Sequence, residues 1–128
     1  MFEAVLFDLD GTLADTAPDL CGTTNILLAE EGRPQQPFFS LRPHTSQGVR
    51  GLLGKGFGID SEHHEYERLA ARFLEIYTSR ICEQSQLFPG IPELLGALEL
   101  HGIARGIVTN KRARYTEPLV AALGLKII

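Results

Sequence analysis

At 128 residues, with a net charge of −4 and 44% apolar side chains, the chain has the length of one ordinary domain, or of a small core carrying an insert, and enough apolar material for a real hydrophobic interior. The acidic balance supplies no electrostatic footprint for nucleic acid or for an anionic membrane surface. No apolar run approaches a membrane span, and residues 1–13 lack the basic leader and uninterrupted apolar stretch of a signal peptide.

The first element is Ala4-Val5-Leu6-Phe7. Four apolar residues in a row predict a parallel strand covered on both faces, because such strands run continuously apolar instead of alternating. Asp8 and Asp10 follow at its C-terminal end, with Gly11 and Thr12 behind them. Residues two apart on extended backbone point the same way, so the two carboxylates are expected to converge while that geometry lasts. Like charges so held need a cation, a shared proton or hydrogen-bond donors, and a magnesium-sized hard cation with oxygen ligands is the natural compensator. Asp10-Gly11 alone is an ordinary turn dipeptide; two acids behind a buried run favour the metal reading.

Thr16 is a candidate N-cap, Pro18 suits a first turn and Asp19 complements the dipole of a helix over about 17–31. Leu20, Leu27 and Leu28 share its stripe, and Gly32 with Pro34 closes it. Residues 33–39 read as a loop. A second helix begins near 46–49 and carries Val49, Leu52 and Leu53, against the pull of Gly48, Gly51, Gly54, Gly56 and Gly58. Each interior glycine costs about 1 kcal/mol relative to Ala, which leaves a glycine-rich connection as the alternative. A third helix starts from a Ser61 cap, shows apolar spacing through Tyr66, Leu69, Phe73, Ile76 and Tyr77, and closes near Arg80. His63 and His64 on a helix diverge by about 100 degrees, so they are expected in solvent and not on one ion. Cys21 and Cys82 match no metal or C-x-x-C spacing and read as reduced core thiols of a cytosolic protein.

Leu87-Phe88-Pro89-Gly90 marks a return turn, followed by a helix from Pro92 to Gly102 that lines Ile91, Leu94, Leu95 and Leu98 along one face. Residues 103–108 read as a second strand delivering Thr109, Asn110 and Lys111. A hydroxyl, a carboxamide and an ammonium there are suited to phosphate oxygens, helped by the N–H groups of the next helix, from about 113 to 123. Taken alone, the trio is equally a helix cap with a solvated lysine. Partnership with Asp8 and Asp10 decides for phosphate, because ligands of open parallel sheets sit outside the carboxyl ends of the strands. Lys126-Ile127-Ile128 begins what is expected to be a third strand.

Phe7-Asp8-Leu9-Asp10-Gly11-Thr12-Leu13 resembles the first motif of the haloacid dehalogenase-like superfamily of phosphohydrolases. Residues 87–90, Gly106 to Lys111, Pro118-Leu119 and Leu123 to Leu125 are similar to its phosphoglycolate phosphatase branch and to the related phosphatases of N-acetylmuramic acid 6-phosphate. The resemblance implies an α/β fold with a Rossmann-like parallel sheet core, truncated here, and an inserted α-helical cap. The core would comprise 1–14 and 83–128, and the cap 15–82.

It further implies a magnesium-dependent cytoplasmic phosphatase for a small phosphorylated metabolite such as 2-phosphoglycolate. In it Asp8 is the nucleophile, Asp10 the acid/base, the Asp8 carboxylate and the Asp10 carbonyl the metal ligands, and Thr109 a holder of the phosphoryl group. A sugar-phosphate phosphatase, a phosphomutase and a truncated, non-catalytic phosphate-binding module are the alternatives. The cap would close over substrate and exclude water, with Arg42 and Arg50 as cationic candidates for a substrate carboxylate beside their plainer role as surface arginines. The lysine of the family's third motif and the acids of its fourth fall beyond residue 128, so the chain is expected to be the first part of a phosphatase of roughly 220 residues.

Overall fold

The computed structural model describes residues 4–107, 109, 111 and 113–125. In chain order its elements are β1 (Ala4–Phe7), β2 (Ala14–Asp15), α1 (Ala17–Glu30), α2 (Phe38–Leu41), a 3-10 segment (Arg42–Gln47), α3 (Gly48–Phe57), α4 (Tyr66–Thr78), β3 (Gln86–Leu87), α5 (Ile91–Leu100), β4 (Ala104–Ile107) and α6 (Ala113–Ala122). They fall into two units, Met1–Thr16 with Ser85–Ile128, and Ala17–Gln84.

In the first unit β1 and β4 pair in parallel, with Ala4 opposite Ala104 and Phe7 opposite Ile107. A parallel pair cannot be closed by a hairpin, so the intervening chain has to cross back to the starting end of the sheet. The apolar run of β1 predicted cover on both faces, yet Leu6 is 68% exposed. Past Phe7 the chain abandons extended geometry. The amides of Thr12, Leu13 and Ala14 all donate to the Leu9 carbonyl, at 3.3, 3.1 and 3.1 Å. Gly11, at φ +81°, supplies the left-handed residue this tight reversal demands, a conformation that a Cβ disfavours. Leu9, Leu13 and Ala14 are buried beneath it. β2 then pairs antiparallel with β3, two residues on each side, too short for any alternation to announce it. From α6 the unit buries Tyr115, Leu119 and Val120, whereas α5 buries nothing fully.

The second unit is helical. Leu20, Leu27 and Leu28 of α1 are buried as their stripe predicts, together with Leu52, Leu53 and Phe57 of α3 and Leu69, Phe73, Ile76 and Tyr77 of α4. α3 forms despite its glycines because packing rewards the missing side chains. A Cβ on Gly51 would sit 2.5 Å from the His44 carbonyl oxygen, and one on Gly56 would meet Thr24 at 3.2 Å. Close approach of this kind repays the propensity cost.

The expected 33–39 loop gives way to α2 at Phe38. What remains of it is pinned by Asn25, whose amide donates to the Gln36 carbonyl and whose oxygen accepts the Gln36 amide, both at 2.9 Å. α4 begins at Tyr66 and not beside Ser61; the preceding turn is organised by Asp60, which accepts the Glu62 amide at 2.9 Å. His63 and His64 lie exposed in that turn with rings stacked at 4.4 Å.

Asp19, expected near a helix start where its charge complements the dipole, is 0% exposed. Its two carboxylate oxygens accept the Gln84 amide at 2.9 and 3.0 Å, and the Arg80 guanidinium lies 3.6 Å away. Cys21 and Cys82 are thiols; burial, aided by the Asp19 charge, pushes the Cys82 thiol up. No helix among the described residues is long and apolar enough to cross a membrane.

Candidate functional site

β1 and β4 lie side by side and run the same way, so their carboxyl ends open on one edge of the first unit. That adjacency is what brings the two chemical clusters of the sequence together.

Asp8 follows the last residue of β1 and is exposed; its Oδ1 accepts the Leu9 amide at 2.9 Å. Asp10 sits in the turn beyond, its side chain 30% exposed. The Asp10 Oδ1 atom receives the Thr16 hydroxyl at 2.7 Å and the Lys111 ammonium at 3.0 Å. Lys111 is 11% exposed at this contact, so the pair is substantially withdrawn from water, where a charge-assisted hydrogen bond is stronger than at an open surface.

Thr109 Oγ1 accepts the Lys111 amide at 3.1 Å, and the Thr116 hydroxyl of α6 donates to the Lys111 carbonyl at 3.1 Å. The hydroxyl hydrogen of Thr109 is not spent on the bond to Lys111, in which its oxygen accepts, so it can donate to a phosphoryl oxygen.

Asp10, Lys111 and Thr109 thus belong to one connected set of contacts. Asp8 and Asp10 share no hydrogen-bond partner among the described residues, and the chain turns at Leu9 between them. Asn110 lies outside the described residues, as do Val108 and the expected third strand at 126–128. Thr16 and Thr116 are the contacts that sequence reasoning missed. Thr16 stands six positions after Asp10 at the start of α1, and no spacing rule links a cap candidate to the acid of the preceding turn. Arg42 and Arg50, in the second unit, are exposed, and the Arg42 guanidinium rests 5.3 Å from the centre of the Phe38 ring.

The donor set fits a hard, largely hydrated cation. Magnesium keeps several waters and commonly takes only one or two protein carboxylates plus substrate phosphate. Asp8 offers an exposed carboxylate whose second oxygen has no partner among the described residues, while Asp10 has one oxygen already occupied by Thr16 and Lys111. No group of three or more His, Cys, Asp or Glu able to hold a metal occurs among the described residues.

Residues 5–128 match the model of a family described as haloacid dehalogenase-like hydrolase. An N-acetylmuramic acid 6-phosphate phosphatase of Pseudomonas aeruginosa is 41% identical over 122 residues, covering 95% of this chain and 54% of that protein. A phosphoglycolate phosphatase of Caulobacter vibrioides is 40% identical over 124 residues, covering 94% of this chain and 52% of that protein. The chain therefore spans about half the length of the curated relatives it matches. A crystal structure from Haemophilus somnus, described as a predicted phosphoglycolate phosphatase, superposes with a TM-score of 0.81 at 27% identity over 97% of this chain and 58% of that one.

Proposed function

The chain belongs to the haloacid dehalogenase-like hydrolases, and from that premise we propose that it carries the nucleophile end of a magnesium-dependent phosphomonoesterase. In this reading a carboxylate oxygen of Asp8 attacks phosphorus in line, forming the aspartyl phosphate as the ester P–O bond breaks. The proton of Asp10 passes to the departing alkoxide. Asp10 then takes a proton from a water that attacks the same phosphorus, which releases inorganic phosphate and restores Asp8. Thr109, Asn110 and Lys111 hold the phosphoryl oxygens, and Asp8 and Asp10 hold magnesium, which when bound offsets the charge on those oxygens. Ala17–Gln84 is on this reading the helical insert, and the other unit the catalytic core.

The observation that carries the proposal is the contact of Lys111 with Asp10 at 3.0 Å. Two segments about a hundred residues apart meet at one edge of a parallel sheet and bring there a carboxylate, an ammonium and a hydroxyl suited to phosphate. The two substrate names borne by the relatives share a chemistry: 2-phosphoglycolate and N-acetylmuramic acid 6-phosphate are both phosphomonoesters that also carry a carboxylate. The substrate class proposed here is accordingly a small acidic phosphomonoester.

The test is hydrolysis of an aryl phosphate and of 2-phosphoglycolate in the presence of magnesium, by the wild type and by Asp8→Asn. Turnover that requires magnesium and disappears in Asp8→Asn supports the proposal. Turnover that persists in Asp8→Asn removes the nucleophile, and with a hexose phosphate supplied in place of these substrates, formation of an isomeric sugar phosphate without inorganic phosphate turns the reading to a mutase.

A further inference from the structure

Of the five aspartates in the chain, Asp10 alone is followed by glycine; Asp8, Asp15, Asp19 and Asp60 precede Leu9, Thr16, Leu20 and Ser61. An aspartate before glycine is chemically the most open to cyclisation, because no Cβ shields the next amide nitrogen from the side-chain carboxyl carbon. In that reaction the Gly11 nitrogen bonds to Asp10 Cγ, and its proton leaves with the carboxyl hydroxyl as water. A second water then opens the five-membered imide. Attack at Cγ restores aspartate, whereas attack at the backbone carbonyl leaves the chain running through Cγ, an isoaspartate with its carboxylate on Cα. One water leaves and one enters, so nothing is oxidised and the mass is unchanged.

The fold holds both reacting groups off this course. The Gly11 amide donates to the Ala14 carbonyl at 2.9 Å, which fixes the peptide plane that carries the nucleophile. Asp10 Oδ1 takes the Thr16 hydroxyl at 2.7 Å and the Lys111 ammonium at 3.0 Å, and Thr16 is buried. To close the ring the carboxyl must swing onto the Gly11 nitrogen and give up these donors. Water has access to the turn, since Gly11 is exposed and no atom lies within 4 Å of where its Cβ would stand. We infer that Asp10-Gly11 is a latent isomerisation site, kept closed in the folded protein by the contacts of Thr16, Lys111 and Ala14. Cyclisation then waits on local opening of the turn. The chemistry needs water alone and does not rest on the proposed function, but on that reading each event displaces the carboxylate of the acid/base and retires one molecule.

Incubation of the full chain at neutral pH in water enriched in heavy oxygen, with and without urea, tests the inference. Each ring opening leaves one solvent oxygen on residue 10, and fragmentation of the peptide that carries it locates the β-linkage. The native wild type is expected to label at Asp10 slower than in urea by on the order of tenfold or more. Thr16→Val and Lys111→Met, each checked for a wild-type thermal melt, should label natively on the order of tenfold faster than the wild type, each having lost a hydrogen bond to a charged group. Thr16→Ser, which keeps the hydroxyl, should stay slow. Asp60-Ser61, exposed in the other unit, is the internal reference and should label alike in all four native proteins. Native labelling at Asp10 as fast as in urea overturns the inference, and so does the wild-type rate in both Thr16→Val and Lys111→Met. A variant with a lowered melt is set aside for the other, and the urea comparison decides by itself if both melt low. Turnover of 2-phosphoglycolate that survives full conversion of residue 10 to isoaspartate upholds the inference and removes Asp10 from the hydrolytic reading.

Discussion

Replacing Asp19 with alanine removes the buried anion on which the end of the helical unit is fastened. Asp19 is 0% exposed, and its loss leaves the Gln84 amide without the acceptor it holds at 2.9 Å. It also leaves Arg80, whose side chain is 12% exposed, without its nearest carboxylate. Arg80 Nε already has no hydrogen-bond partner among the described residues, which sharpens the cost. Removing one partner of a buried ion pair typically costs about 3–5 kcal/mol, and an orphaned buried donor about 1–3 kcal/mol. The exposed Glu83 carboxylate, 3.9 Å from the guanidinium, can take over part of the charge. The lower end, about 3 kcal/mol, is therefore expected for Asp19→Ala. For a chain of this size that corresponds to a fall in Tm of roughly 10 °C.

Urea and thermal unfolding followed by circular dichroism at neutral pH measure it. Asp19→Asn, which keeps an acceptor for the Gln84 amide, should lose less. The double variant Asp19→Ala with Arg80→Met should be more stable than Asp19→Ala alone, because it removes the stranded charge. A loss under about 1 kcal/mol for Asp19→Ala, or no recovery in the double variant, refutes the reasoning.

Two further outcomes follow from the packing of the helical unit. Gly51→Ala is expected to destabilise by about 1–3 kcal/mol in urea unfolding even though alanine is the better helix former, because its Cβ would fall 2.5 Å from the His44 backbone carbonyl, which cannot swing aside as a side chain could. Arg72 and Arg68, through their hydrogen bonds, hold the Glu30 and Glu31 carboxyls below the ordinary carboxylate range. The unfolded chain then binds protons at a higher pH than the folded one, so these pairs contribute fully above the ordinary carboxylate range and their contribution disappears as pH falls through the lowered values. Stability measured against pH should fall less steeply on acidification in Glu30→Gln with Glu31→Gln than in the wild type.

The α/β class was legible because it rests on local patterns: an unbroken apolar strand ending in Asp8 and Asp10, a second strand ending in Thr109, and amphipathic helices between them. Leu20, Leu27 and Leu28, like Leu69, Phe73 and Ile76, were identified as core by spacing alone, since burial on one face of a helix imposes the 3.6-residue period directly on the chain. The family motif around Asp8 was legible for a similar reason, being contiguous.

Contacts between distant residues left no such trace. The sequence placed the Lys111 cluster at the same sheet edge as Asp10, but nothing in it announces that the Lys111 ammonium and the Thr16 hydroxyl fall on one Asp10 oxygen; that pairing exists because β1 and β4 are neighbours. Asp19 read only as a helix-start residue that complements the dipole, and the return of Gln84 and Arg80 after α4 turned it into a buried anchor. The glycines of α3 argued against a helix until His44 and Thr24 came close enough to require them. The amino-acid order by itself determined the longer helices, the strands β1 and β4 and which segments carry reactive groups, because those properties are set by neighbours along the chain; β2, β3 and α2 left no such pattern. The partners of Asp10, Asp19 and Gly51 were decided by the tertiary structure alone, because a charge or a close contact is satisfied by whatever the fold brings beside it, at any separation in sequence.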